Sequence, residues 1–242
     1  MSILITGING FVGKSLYEFL SDSNNVIGIS RNPIENQISW VDFWKSPPSA
    51  KVWIHLAGIA HDTSNNYNKS DYDEINTMLA CNCYKHFLKN KETEIFIFFS
   101  SVKAIASKSN KELIENDRLE INNNYGLSKR NAEDKLLKLG GKTNKRLVIL
   151  RPSMLYGNGS KGNLNLLLYF IKSGLPYPLK SFSNKRSFLS IDNLLFSINK
   201  IIKNDFFQSG IYNICDDDSL STNEIVDMIY EECNNTKRTY YF

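Results

Sequence analysis

What this sequence has little of sets its first limits. Four of its 242 residues are cysteine, Cys81, Cys83, Cys215 and Cys233, with no Cys-x-x-Cys spacing and no secretory context. Buried free thiols are therefore expected rather than a disulfide framework. The three histidines, His55, His61 and His86, are scattered, which argues against a metal site. Charge of one sign is never concentrated: 29 basic and 25 acidic residues are spread along the chain and leave a net +4. No nucleic-acid-binding stripe is expected from that pattern. No apolar run approaches membrane-spanning length, and no basic segment followed by an apolar stretch opens the chain. No membrane partner and a cytoplasmic location are the expectations.

What is present is a 42% hydrophobic, 22% charged chain, enough for one large α/β domain with a smaller lobe. Short apolar runs predict strands at Ile3–Thr6, Val26–Ser30, Ile38–Val41, Val52–Leu56, Ile95–Ser100 and Leu147–Leu150, and longer periodic stretches predict helices at Phe11–Leu20, Tyr72–Lys89 and Tyr125–Leu139. This alternation argues for a parallel sheet covered by helices. After Arg151-Pro152 the texture changes to loops rich in Gly, Pro, Ser and Asn, a composition that often carries ligand contacts. "FLSIDNLLFSINKIIK" then predicts a return strand and helix. "GIYNICDDDSLSTNEIVDMIYEE" predicts a strand, an acidic turn and a helix capped by Ser221 or Thr222, with Glu224 completing a capping box. The expected division is a dinucleotide-binding domain over 1–152, to which 187–203 returns, and a substrate lobe over most of 153–242.

Gly7, Gly10 and Gly13 sit where the first strand would turn into a helix, and a helix start offers unpaired N–H groups at the positive end of its dipole. Gly7 allows the tight turn, Gly10 a close approach to a pyrophosphate, and Gly13 close packing of helix on strand. A glycine turn without ligand is the alternative. At the end of the second strand an NAD site usually places Asp or Glu for the ribose 2′-hydroxyl, whereas "VIGISRNP" offers Ser30 and Arg31. Arg31 suits a 2′-phosphate, so NADP(H) is favoured over NAD(H); a solvated arginine is the alternative. Of the twelve tyrosines, Tyr125 alone has a lysine four residues on. In a helix that spacing puts Tyr125 and Lys129 on one face. A phenol of pKa near ~10 needs a neighbouring cation to become a useful acid–base group at neutral pH, and Lys129 would favour the phenolate.

Thr6-Gly7-Ile8-Asn9-Gly10-Phe11-Val12-Gly13 resembles the TGxxGxxG form of the extended short-chain dehydrogenase/reductases, the NAD-dependent epimerase/dehydratase family. With Ser100-Ser101 closing "IFIFFSS" and Tyr125-x-x-x-Lys129 following in the same order, the chain is similar to that family over essentially its whole length. The resemblance implies a Rossmann-type doubly wound parallel sheet with a small C-terminal substrate lobe. It implies catalysis by Ser101, Tyr125 and Lys129. Around the cofactor it implies Gly7, Gly10, Phe11, Val12, Gly13, Ser30 and Arg31, with Asp42-Phe43 flanking the adenine. Leu56, Ala57 and Gly58 of "HLAG" would lie beside the cofactor, Asn76 of "EINTMLA" would support the active site, and Pro152 of "LRPSMLYG" would bind the cofactor through the backbone that follows it, which faces the nicotinamide. Asn163 and Arg186 match substrate-contacting positions, Arg186 suited to phosphate by its fork, and Lys103 adds a positive contact.

Within nucleotide-sugar enzymes, the 4,6-dehydratases follow their hydroxyl residue with Asp-Glu, whereas this chain reads Ser101-Val102-Lys103. "SSVKA", "YGNGSKGNLNLLLYFIKSGLPYPL" and "NKRSFLSIDNL" most resemble the bacterial reductases of UDP-4-keto-6-deoxy-N-acetylhexosamines, which make precursors of surface polysaccharide. The rival readings are a UDP-hexose 4-epimerase with bound NAD, a non-catalytic dinucleotide-binding protein, and an inactive remnant, since family members continue some tens of residues past "NNTKRTYYF". The resemblance also implies a homodimer through the helices near Tyr72–Lys89 and Tyr125–Leu139.

Overall fold

The structure, a computed structural model, describes residues 1–60, 66–141, 143–160, 163–173, 177–178, 181 and 184–232, with the side chains of Asn163 and Asn165 outside that description. His61 and Cys233 lie outside the described residues. The chain separates into two compact units, 1–152 with 195–214, and 153–194 with 215–242.

The first unit opens with β1 (Ser2–Thr6), α1 (Phe11–Ser21), β2 (Asn25–Ser30), β3 (Gln37–Ser39), α2 (Trp40–Lys45) and β4 (Val52–His55). A single helical turn, α3 (Lys69–Tyr72), runs through a π-helical segment (Asp73–Met78) into α4 (Leu79–Lys89). β5 (Ile95–Phe99), a 3-10 turn (Val102–Ala104), α5 (Asn124–Gly140) and β6 (Arg146–Pro152) follow. Later in the chain come β7 (Met154–Tyr156), α6 (Asn163–Lys172), β8 (Arg186–Ser190), α7 (Ile191–Lys203), β9 (Gly210–Ile214), β10 (Ser219–Leu220) and α8 (Thr222–Glu232). Seven strands form one sheet in the order β3-β2-β1-β4-β5-β6-β9, every pairing parallel. The order reverses between β1 and β4, where Thr6 lies opposite His55. A doubly wound sheet leaves its ligand crevice at such a switch point, at the carboxyl ends of the strands.

Burial explains why these runs are strands. All five residues of β5, Ile-Phe-Ile-Phe-Phe, are buried, as expected for a central parallel strand covered on both faces. Trp53, Phe96 and Phe98 pack there with Phe43, Tyr84, Phe87 and Leu136 from the helices. In the second unit β10, β8 and β7 make a three-stranded sheet, and Ile171, Tyr177, Val226 and Tyr230 form a small core of their own.

Three expectations need correction. The third strand ends at Ser39, not Val41, because the Ser39 hydroxyl accepts the Asp42 N–H at 3.1 Å and starts α2. The helix predicted from Tyr72 begins earlier, at an Asn68 capping box in which Asn68 takes the Ser70 and Asp71 N–H groups and Asp71 takes the Asn68 N–H, and it is broken by the π segment. Strand β8, expected to return to the large sheet, pairs instead with β7 and β10. The returning residues are 195–214, and β9 is the added strand. The capping box expected at α8 is present: Ser221 Oγ accepts the Glu224 N–H at 3.1 Å, and Glu224 accepts the Ser221 N–H at 2.7 Å.

Candidate active site

The turn after β1 is built for close approach. Gly7 has φ +72°, and a Cβ there would stand 2.8 Å from the Ala57 nitrogen. At Gly13 a Cβ would stand 2.5 Å from the Gly7 carbonyl oxygen and 2.6 Å from that of Ile8, so only glycine lets α1 approach this turn. The Gly10 N–H donates to Gly7 O and the Lys14 N–H to Gly10 O, both at 3.0 Å. The next N–H groups of α1, from Phe11 onward, are those a helix start leaves for an anion. Asn9 ties this loop to the neighbouring one: its amide donates to Asn32 O at 3.3 Å, and its carbonyl accepts from Gln37 at 2.9 Å.

Across the switch point, Thr6 Oγ1 accepts the Ala57 N–H at 3.2 Å and is hydrogen-bonded to His55 Nδ1 at 2.9 Å. His55 is buried between the Phe96 and Phe98 rings; burial, with Lys129 nearby, pulls its pKa down to about 3. Asn76, from the π segment, accepts the Ile59 N–H at 2.7 Å and donates to Ile59 O and Ser128 Oγ, each at 3.0 Å. It thereby fastens the Leu56-Ala57-Gly58 turn to α5. A Cβ on exposed Gly58 would stand 2.7 Å from Asn76 Oδ1 and 3.4 Å from Lys129 Nζ.

Ser101, Tyr125 and Lys129 converge here. The Ser101 side chain lies near enough to the Tyr125 phenol to favour its ionised form against burial. Lys129 is buried; its ammonium donates to Phe99 O at 2.8 Å and lies 5.0 Å from the Phe98 ring centroid. Burial pulls Lys129 down to about 8, with Glu133 opposing. The depression expected for Tyr125 is absent: burial raises its phenol, only partly offset by Ser101. The site as it stands holds that phenol protonated.

The remaining expected residues scatter in their surroundings. Arg31 is exposed at the end of β2 and has no hydrogen bond or ion pair among the described residues. Beside it, the buried Ser30 Oγ has no partner. Asp42 is exposed and occupied in capping α2, accepting the Ser39 hydroxyl at 2.6 Å. The Phe43 ring is fully buried against Trp53 at 5.5 Å and Trp44 at 4.7 Å, which leaves its main chain to offer a ligand. Pro152 is buried at the end of β6, in register with Ile214. Lys103 is exposed, and its ammonium is held by Ser107 O at 3.1 Å. Arg186 and Asn163 belong to the second unit. Arg186 is exposed at the start of β8, opposite Leu220, and the Asn163 side chain lies outside the described residues.

The motif reading missed a polar layer beneath the site. Glu133, one turn after Lys129, is fully buried and accepts the Ser100 hydroxyl together with Arg151 Nε at 2.9 Å and Nη2 at 2.6 Å. Arg130 donates to Ala104 O at 2.6 Å, Leu119 O at 3.1 Å and Ile105 O. Tyr72 lies close enough to bear on Tyr125. The "KRNAE" run after Tyr125 carried a signal for Glu133, since i+4 from Lys129 continues the same helix face. No group of metal-ligating side chains is present among the described residues, and no helix among them is long and apolar enough to cross a membrane.

Comparison with known proteins matches residues 3–215 to the model of the NAD dependent epimerase/dehydratase family. A UDP-glucose 4-epimerase of Vibrio cholerae is 30% identical, over 93% of this chain and 74% of that protein. A UDP-2-acetamido-2,6-beta-L-arabino-hexul-4-ose reductase of Pseudomonas aeruginosa is 24% identical, over 98% of this chain and 59% of that one. Among solved structures, the UDP-glucuronic acid 4-epimerase of Bacillus cereus, in complex with UDP-glucuronic acid and NAD, matches with a TM-score of 0.84 at 20% identity, covering 100% of this chain and 86% of that one.

Proposed function

The chain belongs to the NAD dependent epimerase/dehydratase family, and from that premise we propose that it is an NADPH-dependent reductase of the C4 ketone of a UDP-4-keto-6-deoxy-N-acetylhexosamine, serving surface polysaccharide precursor synthesis. The observation that carries the reading is the end of β2. Arg31 stands exposed and unpaired among the described residues, and the Ser30 hydroxyl beside it is buried without a partner. A 2′-phosphate would satisfy both, the guanidinium by its fork and the hydroxyl as donor. The glycine cradle, which any Cβ at Gly7 or Gly13 would fill, fits the pyrophosphate of the same coenzyme.

When bound, the nicotinamide coenzyme supplies the hydride. The protein's part is to bind the ketone oxygen between the Ser101 hydroxyl and the Tyr125 phenol and to stabilise the charge that develops on it. Tyr125, held protonated by burial, gives up its proton to that oxygen. Ser101 remains hydrogen-bonded to it, and the Lys129 cation one turn along α5 favours the resulting phenolate. Arg186 is assigned to the diphosphate of the nucleotide sugar. A second reading, a UDP-hexose 4-epimerase with NAD, uses the same three side chains and is favoured by the identity with the Vibrio cholerae enzyme.

The test is a fluorescence titration with NADPH and with NADH, on the protein and on Arg31→Ala. A preference for NADPH that disappears in Arg31→Ala, followed by turnover of a UDP-4-keto sugar that Tyr125→Phe abolishes, supports the reductase. Preference for NADH, or NAD carried through purification, supports the epimerase.

A further inference from the structure

Lys129 has to carry a positive charge in a place that disfavours one. Its ammonium is buried, donates to one carbonyl, Phe99 O, and faces an aromatic ring, Phe98. His55, from β4, is close enough to feel it and is itself held neutral. Tyr125, on α5, is held neutral by burial. Among the described residues the charge that favours the Lys129 cation is Glu133, a turn further along the same helix.

Glu133 is also the point where three elements are joined. Its carboxylate is fully buried and receives the Ser100 hydroxyl from the end of β5 and both nitrogens of the Arg151 fork from the end of β6. Ser100 directly precedes Ser101, so the bond that turns Ser100 inward also fixes the backbone that carries Ser101. Arg151 in turn donates to Glu115 O at 2.8 Å, and Glu115 accepts the Asn213 N–H at 2.9 Å. A carboxylate shielded from bulk solvent depends on protein groups for its hydrogen bonds. Moving it would displace Ser101, Lys129 and the end of β6 together.

We propose that Glu133 is a positioning residue of the active site, acting on Ser101 through Ser100 and on Lys129 through its charge. The role assigned to Lys129 rests on the functional reading above; the role of Glu133 toward Lys129 does not. The experiment therefore follows Lys129 directly. The reactivity of each lysine toward a trace acylating reagent is measured by mass spectrometry across pH 6 to 11, in the protein as it stands and in Glu133→Gln.

The amide keeps the size of the side chain and one acceptor oxygen, puts a donor in place of the other, and removes the charge. The midpoint for Lys129 is expected to fall by about one pH unit or more, a tenfold change in its ratio of charged to neutral form, while exposed lysines such as Lys85 and Lys138 do not move. Glu133→Gln leaves the Arg151 guanidinium unpaired in the interior and could lose the fold. Glu133→Gln combined with Arg151→Met removes both charges, and a smaller fall in the same direction is expected in that folded variant, because the opposing Arg151 cation is lost as well. A Lys129 midpoint unchanged in either folded variant overturns the proposal. The labelling needs neither cofactor nor substrate. Failure of the unaltered protein to bind NADPH or NADH would overturn the functional reading and leave the Glu133 result to stand on its own.

Discussion

At the scale of the residue, the glycines of the first turn differ in what they tolerate. A Cβ at Gly10 meets one atom, Gly7 O at 3.2 Å, whereas at Gly13 it meets three backbone atoms within 2.7 Å. Backbone in two packed elements cannot give way as a side chain can. Gly13→Ala is expected to cost about 1–3 kcal/mol in urea unfolding and to weaken dinucleotide binding at least tenfold, with Gly10→Ala clearly milder in stability. Equal effects would mean that α1 does not pack on its turn as described. His55 gives a second residue-scale prediction. Its folded pKa of about 3 lies below its ordinary 6.5, so between those values the unfolded chain binds the extra proton. The stability this histidine contributes is complete above pH 6.5 and is lost as pH falls toward 3. Compared by urea unfolding, the advantage of the native protein over His55→Gln should shrink by about 2–3 kcal/mol between pH 7 and pH 4.5. A gap that does not change with pH would refute the buried neutral histidine.

At the scale of the element, the segment between the 3-10 turn and α5 has little regular structure and is held largely by polar contacts. Arg130 binds two of its carbonyls, from Ile105 and Leu119, and that of Ala104 at the end of the turn, and the Ser107 hydroxyl receives Asn122 N and Asn123 Nδ2 at 2.7 and 3.0 Å. Arg130→Met should speed amide exchange through 105–120 and leave β1, β4 and β5 unchanged. Exchange that quickens throughout the sheet would show that the guanidinium supports the whole unit instead. Legibility divides at this scale. Tyr125 and Lys129 could be read because one helix carries both at i and i+4, and the glycine turn because three residues in sequence define it. The π segment that aims Asn76 could not be read, since its i+5 pairing leaves no periodic signature in six residues. The burial of the Phe43 ring could not be read for a related reason: a three-residue strand and a short helix are settled by packing against Trp53 of β4. The Glu133–Arg151 pair joins α5 to β6, and such pairings are written in the fold, not in local spacing.

At the scale of the whole molecule, charge bears on association. The resemblance implies a homodimer through α4 and α5. Their outward residues include Asn82, Lys85 and Lys89 on α4, and Asn131, Lys135 and Lys138 on α5, with Met78 exposed beside them in the π segment. Lys85 and Lys135 both lie near enough to Cys81 to favour its thiolate against burial, so two cations from adjacent helices share this face. No acidic partner is recorded for either lysine among the described residues; Lys135 rests instead against the Met78 sulfur at 3.6 Å. A two-fold contact on this face presents the same patch from each copy, which would bring four lysines together over a modest apolar area. Repulsion between exposed charges falls as salt shortens the screening length from about 30 Å at 0.01 M to about 8 Å at 0.15 M. Light scattering coupled to size exclusion is therefore expected to give the monomer mass of 27.7 kDa at low salt, with any dimer appearing as salt rises. Lys135→Glu should reverse the trend by pairing with Lys85 of a second copy. A dimer already complete at low salt and indifferent to Lys135→Glu would place the contact on another face.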